Sequence, residues 1–256
     1  MKIIQKGFNY SQDGPGNRLV YHMQGCNMYC PWCANPEGIS LEGVRMYVED
    51  RDSGRVKEKF SCKEYSVEEL VEEVLRSRAM FFEGGGVTFT GGEPTVQFQE
   101  LKALLERLHL EKIHIAMENN GTNPRLTELL PCIDYLIMDF KHPSEEIHKK
   151  ITGVSNKTVA DNLEKILESG RQIAVRIPLI HGFNDTEEAL QGFLAFFEAH
   201  SSERMTLEIL PYHEYGKEKW EQCRMAYRVE DGYVSEETVK RFEEAFRRAG
   251  ISVIHT

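Results

Sequence analysis

Cys26, Cys30 and Cys33 fall within eight residues in the spacing C-x3-C-x2-C, directly after an apolar run at residues 19–23 (Leu-Val-Tyr-His-Met). Thiolates are soft ligands, suited to zinc and to iron–sulfur clusters. Three of them are one too few for a closed tetrahedral zinc site or an ordinary cubane. A loop with three close thiolates suits a cubane whose fourth iron is open, and an open iron serves chemistry rather than scaffolding. The same residues also allow a three-cysteine zinc site completed by a nearby histidine, or three incidental thiols. Cys62, Cys132 and Cys223 are far apart in sequence and read as isolated core or surface thiols.

Other residues with chemical potential follow apolar or β-branched runs. Gly91-Gly92-Glu93-Pro94 leaves the stretch 86–90. Glycines there let the backbone approach a ligand closely, and Glu93 with the Gly92 carbonyl could accept hydrogen bonds from an ammonium group. A plain tight turn is the competing reading. Trp32 could pack against an adenine or cover the edge of the core. Lys141, after Asp139, is a compact cation suited to a carboxylate, and His213 is a donor for the same kind of ligand. Either residue alone at a strand end is also compatible with a structural or solvated role.

These residues need a scaffold, and the periodicity supplies one. Ser66-Val67-Glu68-Glu69 is a capping box opening a helix that reaches about Met80, with Leu70, Val74 and Leu75 on one face. Strands are expected at 86–90, 113–117, 135–140, 173–177 and 205–210, and helices at 98–108, 125–130, 159–168, 186–200 and 235–249. Gly170 suits a helix C-cap, and a short strand closes the chain near 251–254. With the run at 19–23, six strands separated by helices predict βαβ units and a parallel sheet. Six units are too few to close an eight-fold barrel. The expected fold class is therefore α/β, a partial (β/α)6 TIM-like barrel in one domain, 1–256. Ligands in such folds collect at the carboxyl ends of strands. The cysteines, Gly91-Gly92-Glu93, Glu118-Asn119, Asp139 with Lys141, Arg176 and His213 all fall at such ends. Residues 36–65 are polar and long for a connection; they read as a surface insertion near the mouth of the site, with a β-hairpin around Ser53-Gly54.

Composition excludes several function classes. With 41% hydrophobic residues the 256-residue chain can bury a full core. A net charge of −10 disfavours nucleic acid, whose phosphates need a basic face. The N-terminus is too polar for a signal h-region, and no apolar run approaches the ~18 residues of a membrane span. The expected location is the cytoplasm, where clustered cysteines hold metal rather than disulfides.

Asp13-Gly14-Pro15-Gly16-Asn17-Arg18, Gln24-Gly25-Cys26, Cys33-Ala34-Asn35-Pro36, residues 84–93, Asp139-Phe140-Lys141, Gly153-Val154-Ser155-Asn156 and residues 210–217 (Leu-Pro-Tyr-His-Glu-Tyr-Gly-Lys) occur in that order. The cysteine spacing with its Gly-Gly-Glu partner resembles the radical S-adenosylmethionine (SAM) superfamily. Taken together, the segments resemble the glycyl-radical-enzyme activating enzymes over nearly the whole chain. That resemblance implies a barrel of radical SAM type and a 4Fe–4S cluster on Cys26, Cys30 and Cys33, with SAM chelating the open iron. It implies reductive cleavage of SAM, and hydrogen abstraction from a glycine of a partner glycyl radical enzyme. An electron donor of flavodoxin or ferredoxin type is implied as well. The SAM site would be lined by Trp32, Cys33, Ala34, Gly91, Gly92, Glu93, Asp139, Phe140, Lys141 and His213, with Asn35 and Arg176 nearby. Asp13 would lie beside the partner's glycine loop.

Two departures stand out. Glu118-Asn119 replaces an Asp-Thr pair that, with the counterpart of Asp139, binds a monovalent cation in the family; Glu118 and Asp139 remain its candidate donors here. The 36–65 insertion has the place of a ferredoxin-like insert but retains only Cys62, so a single cluster is expected. Two other readings stay open: a radical SAM enzyme acting on a small molecule or peptide, and a non-catalytic iron–sulfur or zinc protein that binds a partner.

Overall fold

The computed structural model describes residues 1–50, 53–200 and 202–256. The chain divides into two compact units, Met1–Met117 with Glu214–Val229, and Glu118–His213 with Glu230–Thr256. Among the described residues no helix is long and apolar enough to cross a membrane.

The first unit opens with β1 (Lys2–Tyr10) and β2 (Asn17–Met23), an antiparallel pair. β3 (Arg45–Glu49) and β4 (Val56–Phe60) form a separate hairpin, and β5 (Lys63–Glu64) pairs with β1. Then come α1 (Val67–Arg76), β6 (Gly86–Gly91), α2 (Phe98–Leu110) and β7 (Ile115–Asn119), whose last two residues belong to the second unit. The strand order in this unit is β7-β6-β2-β1-β5. β2, β6 and β7 are mutually parallel, with Arg18 opposite Gly86 and Val87 opposite Ile115. Six of the seven residues of β2 and the first five of β6 are buried, without alternation, as expected for strands covered on both faces.

The second unit holds β8 (Tyr135–Asp139), α3 (Glu145–Thr152), α4 (Lys157–Glu168), β9 (Ile173–Leu179), α5 (Glu187–Ala199) and β10 (Met205–Pro211). After α6 (Lys217–Gln222), which belongs to the first unit, it ends with α7 (Glu236–Arg248) and β11 (Ser252–Val253). Its strands run parallel in the order β8-β9-β10-β11. The core includes an aromatic cluster in which Phe140 stacks on Phe196 at 4.2 Å and meets Phe193 and Phe197 edge-on.

Local chemistry explains where elements begin and end. The capping box at Ser66 is present: its hydroxyl accepts from Glu69 N at 3.1 Å, and Glu69 Oε2 accepts from Ser66 N at 2.7 Å. The helix stops at Arg76 rather than Met80. Ser77 donates its hydroxyl to Glu73 O at 2.9 Å, and the chain tightens into a 3-10 turn at Arg78–Met80. The helix expected at 125–130 is two 3-10 turns, Leu126–Glu128 and Leu130–Cys132. Pro131 has no N–H for an α ladder there. The expected hairpin is formed by β3 and β4, closed by Gly54 N donating to Asp50 O at 2.8 Å; Arg51 and Asp52 of its turn lie outside the described residues.

Candidate functional site

The cysteine loop leaves the carboxyl end of β2 and is fastened on several sides. Gly25 N donates to Gly38 O at 2.8 Å, Cys26 N to Ile39 O at 3.0 Å, and Glu93 N to Gly25 O at 2.7 Å. Gln24 is fully buried, and its Nε2 donates to Glu37 O and Ser40 O at 2.7 and 2.6 Å. The Ser61 hydroxyl donates to Gln24 Oε1 at 3.2 Å, and Gln97 Nε2 donates to Gln24 O at 2.8 Å. The 36–65 segment is thus sewn to the root of the loop and is more than surface decoration.

Beyond Cys33, α6 takes over. Trp220 Nε1 donates to Cys33 O at 2.9 Å, and Lys219 Nζ reaches Asn35 Oδ1 at 2.7 Å and Glu37 Oε1 at 2.9 Å. Two glycines permit this closeness. A Cβ on Gly92 would sit 2.3 Å from Gly25 O, and one on Gly216 would sit 2.5 Å from Cys33 O.

Within the loop, Met28 N donates to Cys26 Sγ at 3.4 Å and Cys33 N to Cys30 O at 3.1 Å. Burial, followed by the charges of Cys30 and Cys26, pushes the Cys33 thiol well up from its ordinary pKa. Cationic iron would offset both penalties, so the donor set and its electrostatics fit a cluster. Among the described residues no three His, Cys, Asp or Glu side chains converge on a single ion. A cubane does not require that, because each thiolate binds a different iron. Trp32, within the loop between Cys30 and Cys33, is buried. Glu93 is buried and already caps the 3-10 turn Pro94–Gln97, its Oε1 accepting from Thr95 N at 2.9 Å and from the Thr95 hydroxyl at 2.5 Å.

In the second unit, strand register gathers charge. Arg176 on β9 is opposite Asp139 on β8 and Glu208 on β10. Its buried guanidinium binds Glu118 Oε1 at 2.6 Å and Glu208 Oε2 at 2.8 Å. Burial lowers the Arg176 pKa, but those two carboxylates outweigh it and the group is held more firmly protonated. Asp139 receives Lys141 Nζ at 2.6 Å. Burial raises the Asp139 pKa, Lys141 lowers it and Glu118 raises it again, for a net rise. Both candidate cation donors, Glu118 and Asp139, therefore already hold protein cations. The Asn119 side chain donates to Ile137 O at 2.8 Å and accepts from Gly121 N at 2.9 Å. Partial burial lowers the His213 pKa and favours a neutral ring.

Not every expected residue is placed as anticipated. The Phe140 ring is fully buried in the aromatic core, which leaves its backbone as the part able to meet a ligand. Asp13 is in the β1–β2 turn at the amino end of β2, the opposite end from the cysteines; Asn9 Nδ2 donates to its carboxylate at 2.5 Å. The sequence reading assigned no role to Gln24, Trp220, Lys219 or Glu208. A charged residue in the apolar run Met-Thr-Leu-Glu-Ile-Leu was the available signal for Glu208.

The chain matches the model of the radical SAM superfamily over residues 20–194. It is 29% identical to the 4-hydroxyphenylacetate decarboxylase activating enzyme of Clostridioides difficile (strain CD196), over 94% of this chain and 91% of that protein. Identity is also 29% to the pyruvate formate-lyase 1-activating enzyme of Escherichia coli (strain K12), over 94% and 93%. Among solved structures, a domain of pyruvate-formate lyase-activating enzyme from Bacteroides vulgatus ATCC 8482 gives a TM-score of 0.55 at 24% identity, over 66% of this chain and 98% of that one. A radical SAM methyltransferase from Sphaerobacter thermophilus gives 0.63 at 16% identity, over 99% and 75%. These two structural likenesses carry the fold alone, an α/β fold of radical SAM type. With a three-cysteine loop at the end of β2 and a family match over most of its length, the chain belongs to the radical SAM superfamily.

Proposed function

We propose that this chain is a glycyl-radical-enzyme activating enzyme, similar to the pyruvate formate-lyase activating enzyme. The observation that carries the chemistry is the loop of Cys26, Cys30 and Cys33, which offers three thiolates and is pinned from both ends. The choice of a protein glycine as substrate rests on the two activating enzymes above, similar over nearly all of this chain and nearly all of their own lengths. Met1–Thr256 is read as one radical SAM domain, since the family match runs through the boundary between Met117 and Glu118.

Cys26, Cys30 and Cys33 would hold a 4Fe–4S cluster, which would supply the electron for reductive cleavage of SAM and so the means of abstracting a hydrogen atom from a glycine Cα of the partner. The protein's part is holding and shielding. In the first unit Gly91, Gly92 and Glu93 serve the SAM amino group, while Trp32, Cys33, Ala34 and Asn35 serve its remainder. In the second unit Lys141 and His213 serve the SAM carboxylate, and Asp139 and the Phe140 backbone line the same ligand with Arg176 nearby. Asp13 serves the partner's glycine loop. A single cluster is proposed, because Cys62, Cys132 and Cys223 lie outside the loop. The electron comes from a flavodoxin- or ferredoxin-type donor in the cytoplasm. A monovalent cation at Glu118 and Asp139 would have to displace Arg176 and Lys141.

The test is to mix the cluster-loaded protein anaerobically with reductant, SAM and glycyl radical enzymes of the same organism. A glycyl radical doublet in electron paramagnetic resonance is the expected outcome. SAM cleavage coupled to a small molecule, with no doublet from any such enzyme, would replace this reading by the small-molecule or peptide one.

A further inference from the structure

At the strand ends of the second unit, each carboxylate expected to bind a monovalent cation already holds a cation that belongs to the chain. Glu118 Oε1 takes Arg176 Nη1 at 2.6 Å, and Asp139 Oδ2 takes Lys141 Nζ at 2.6 Å. A third carboxylate, Glu208 on β10, fixes the same guanidinium: its Oε2 accepts from Arg176 Nε at 2.8 Å. The other oxygen of Glu208 accepts from Thr256 N at 2.8 Å and from the Thr256 hydroxyl at 2.6 Å, and Arg176 Nη2 donates to that hydroxyl at 3.3 Å. Arg176 and Glu208 are both buried, so three separate contacts give the guanidinium one seat. The buried Asn119 side chain is engaged as well, by Ile137 O and Gly121 N.

Sodium and potassium are hard cations and need oxygen ligands. An ion entering here would shed water and break two charge-assisted hydrogen bonds of 2.6 Å. It would leave the buried ammonium and guanidinium groups without those partners, and stranding a buried charge is strongly unfavourable. The donors therefore do not fit an added ion. A guanidinium, by contrast, is always charged and only weakly hydrated, and its planar fork matches carboxylate oxygens. Its positive charge is part of the fold and does not depend on the salt in the medium.

We propose that Arg176 is a built-in replacement for the monovalent cation of the family, so that this chain binds SAM independently of sodium and potassium. Held between Glu118 and Glu208, it supplies at a fixed point the charge that an exchangeable ion would supply. Glu208 is what distinguishes this seat from a transient surface pair, since a buried carboxylate on the next strand holds the guanidinium in register. The inference rests on the reading of Asp139 and Lys141 as part of the SAM site.

Equilibrium binding of SAM to the cluster-loaded protein in potassium, sodium and tetramethylammonium chloride, at equal ionic strength, tests it. Tetramethylammonium carries charge but cannot take oxygen ligands. The expected result is one affinity, within about twofold, in all three salts. Binding at least tenfold tighter in potassium or sodium would overturn the inference and leave the activase reading standing. Arg176→Met gives the converse. With the guanidinium gone, Glu118 and Glu208 offer their oxygens to an ion, so SAM binding should become at least tenfold tighter in potassium or sodium than in tetramethylammonium. A folded variant with the same SAM affinity in every salt would overturn the replacement role. Thermal unfolding checks the variant's fold, and should it not fold, the comparison of salts on the parent decides alone. If the parent binds SAM in none of the salts, the reading of the SAM site fails and the inference falls with it.

Discussion

Cys26, Cys30 and Cys33 differ from the other cysteines in their surroundings more than in exposure. Their loop is fixed by main-chain bonds from Gly38, Ile39 and Glu93 and by the Trp220 indole. Alanine at any of the three should abolish the brown chromophore and SAM cleavage. Alanine at Cys62, Cys132 or Cys223 should leave about four iron atoms per chain after anaerobic reconstitution, as a single cubane requires; about twelve would refute the single cluster. Burial pushes the Cys223 thiol up to about 11. Its thiolate at pH 8 should be roughly a hundredfold scarcer than that of a free cysteine, and iodoacetamide should modify it correspondingly slowly. Because the thiol of the folded chain holds its proton more tightly than that of the unfolded chain, Cys223 should also erode stability as pH rises through about 9 to 11. Lys141 carries the clearest SAM prediction. Removing its ammonium with Lys141→Ala should cost about 1–3 kcal/mol of SAM affinity in equilibrium binding, and unchanged affinity would refute its role.

Elements whose signals are local were legible in the sequence, whereas those made by tertiary contact were not. Ser66 and Glu69 mark the start of α1 by residue type alone, and the hairpin of β3 and β4 follows from a polar turn between two runs. β1 escaped because its strand leaves five of nine residues exposed and shows no clean alternation. α3 escaped because it buries only His148 and Thr152. The cysteine motif was readable, but its supports were not, since Gln24 and Trp220 act through residues distant in sequence. Ser66→Ala should cost about 1 kcal/mol, read as a lower urea midpoint of the metal-free protein. Gln24→Ala reaches further, because it strips donors from the Glu37 and Ser40 carbonyls, which belong to the 36–65 segment. It should cost about 1–3 kcal/mol and speed loss of iron to a chelator. Iron retention equal to the parent would show that the insertion does not brace the loop.

For the molecule as a whole, the decisive arrangement is along β2. The cysteine loop leaves its carboxyl end, and the turn holding Asp13 enters its amino end, seven strand residues away. At about 3.3 Å per residue the two ends are roughly 20 Å apart. Asp13 is therefore too far along the strand to tune the cluster. Asn9 donates to its carboxylate, and the Thr88 hydroxyl donates to its carbonyl at 2.8 Å. The turn itself is held by Arg18, fully buried, whose guanidinium donates to Pro15 O at 2.9 Å and to Val87 O at 2.6 Å. A turn fixed this firmly can present one carboxylate to a visiting chain without depending on the cysteines. Asp13→Ala keeps the backbone bond from Thr88 and the Arg18 scaffold, so the fold, the iron content and reductive SAM cleavage should match the parent. The glycyl radical doublet on a cognate enzyme should drop at least tenfold at equal SAM and reductant. If SAM cleavage falls in step with the doublet, Asp13 acts on the cofactor side after all. A full doublet in the variant would remove it from the partner surface.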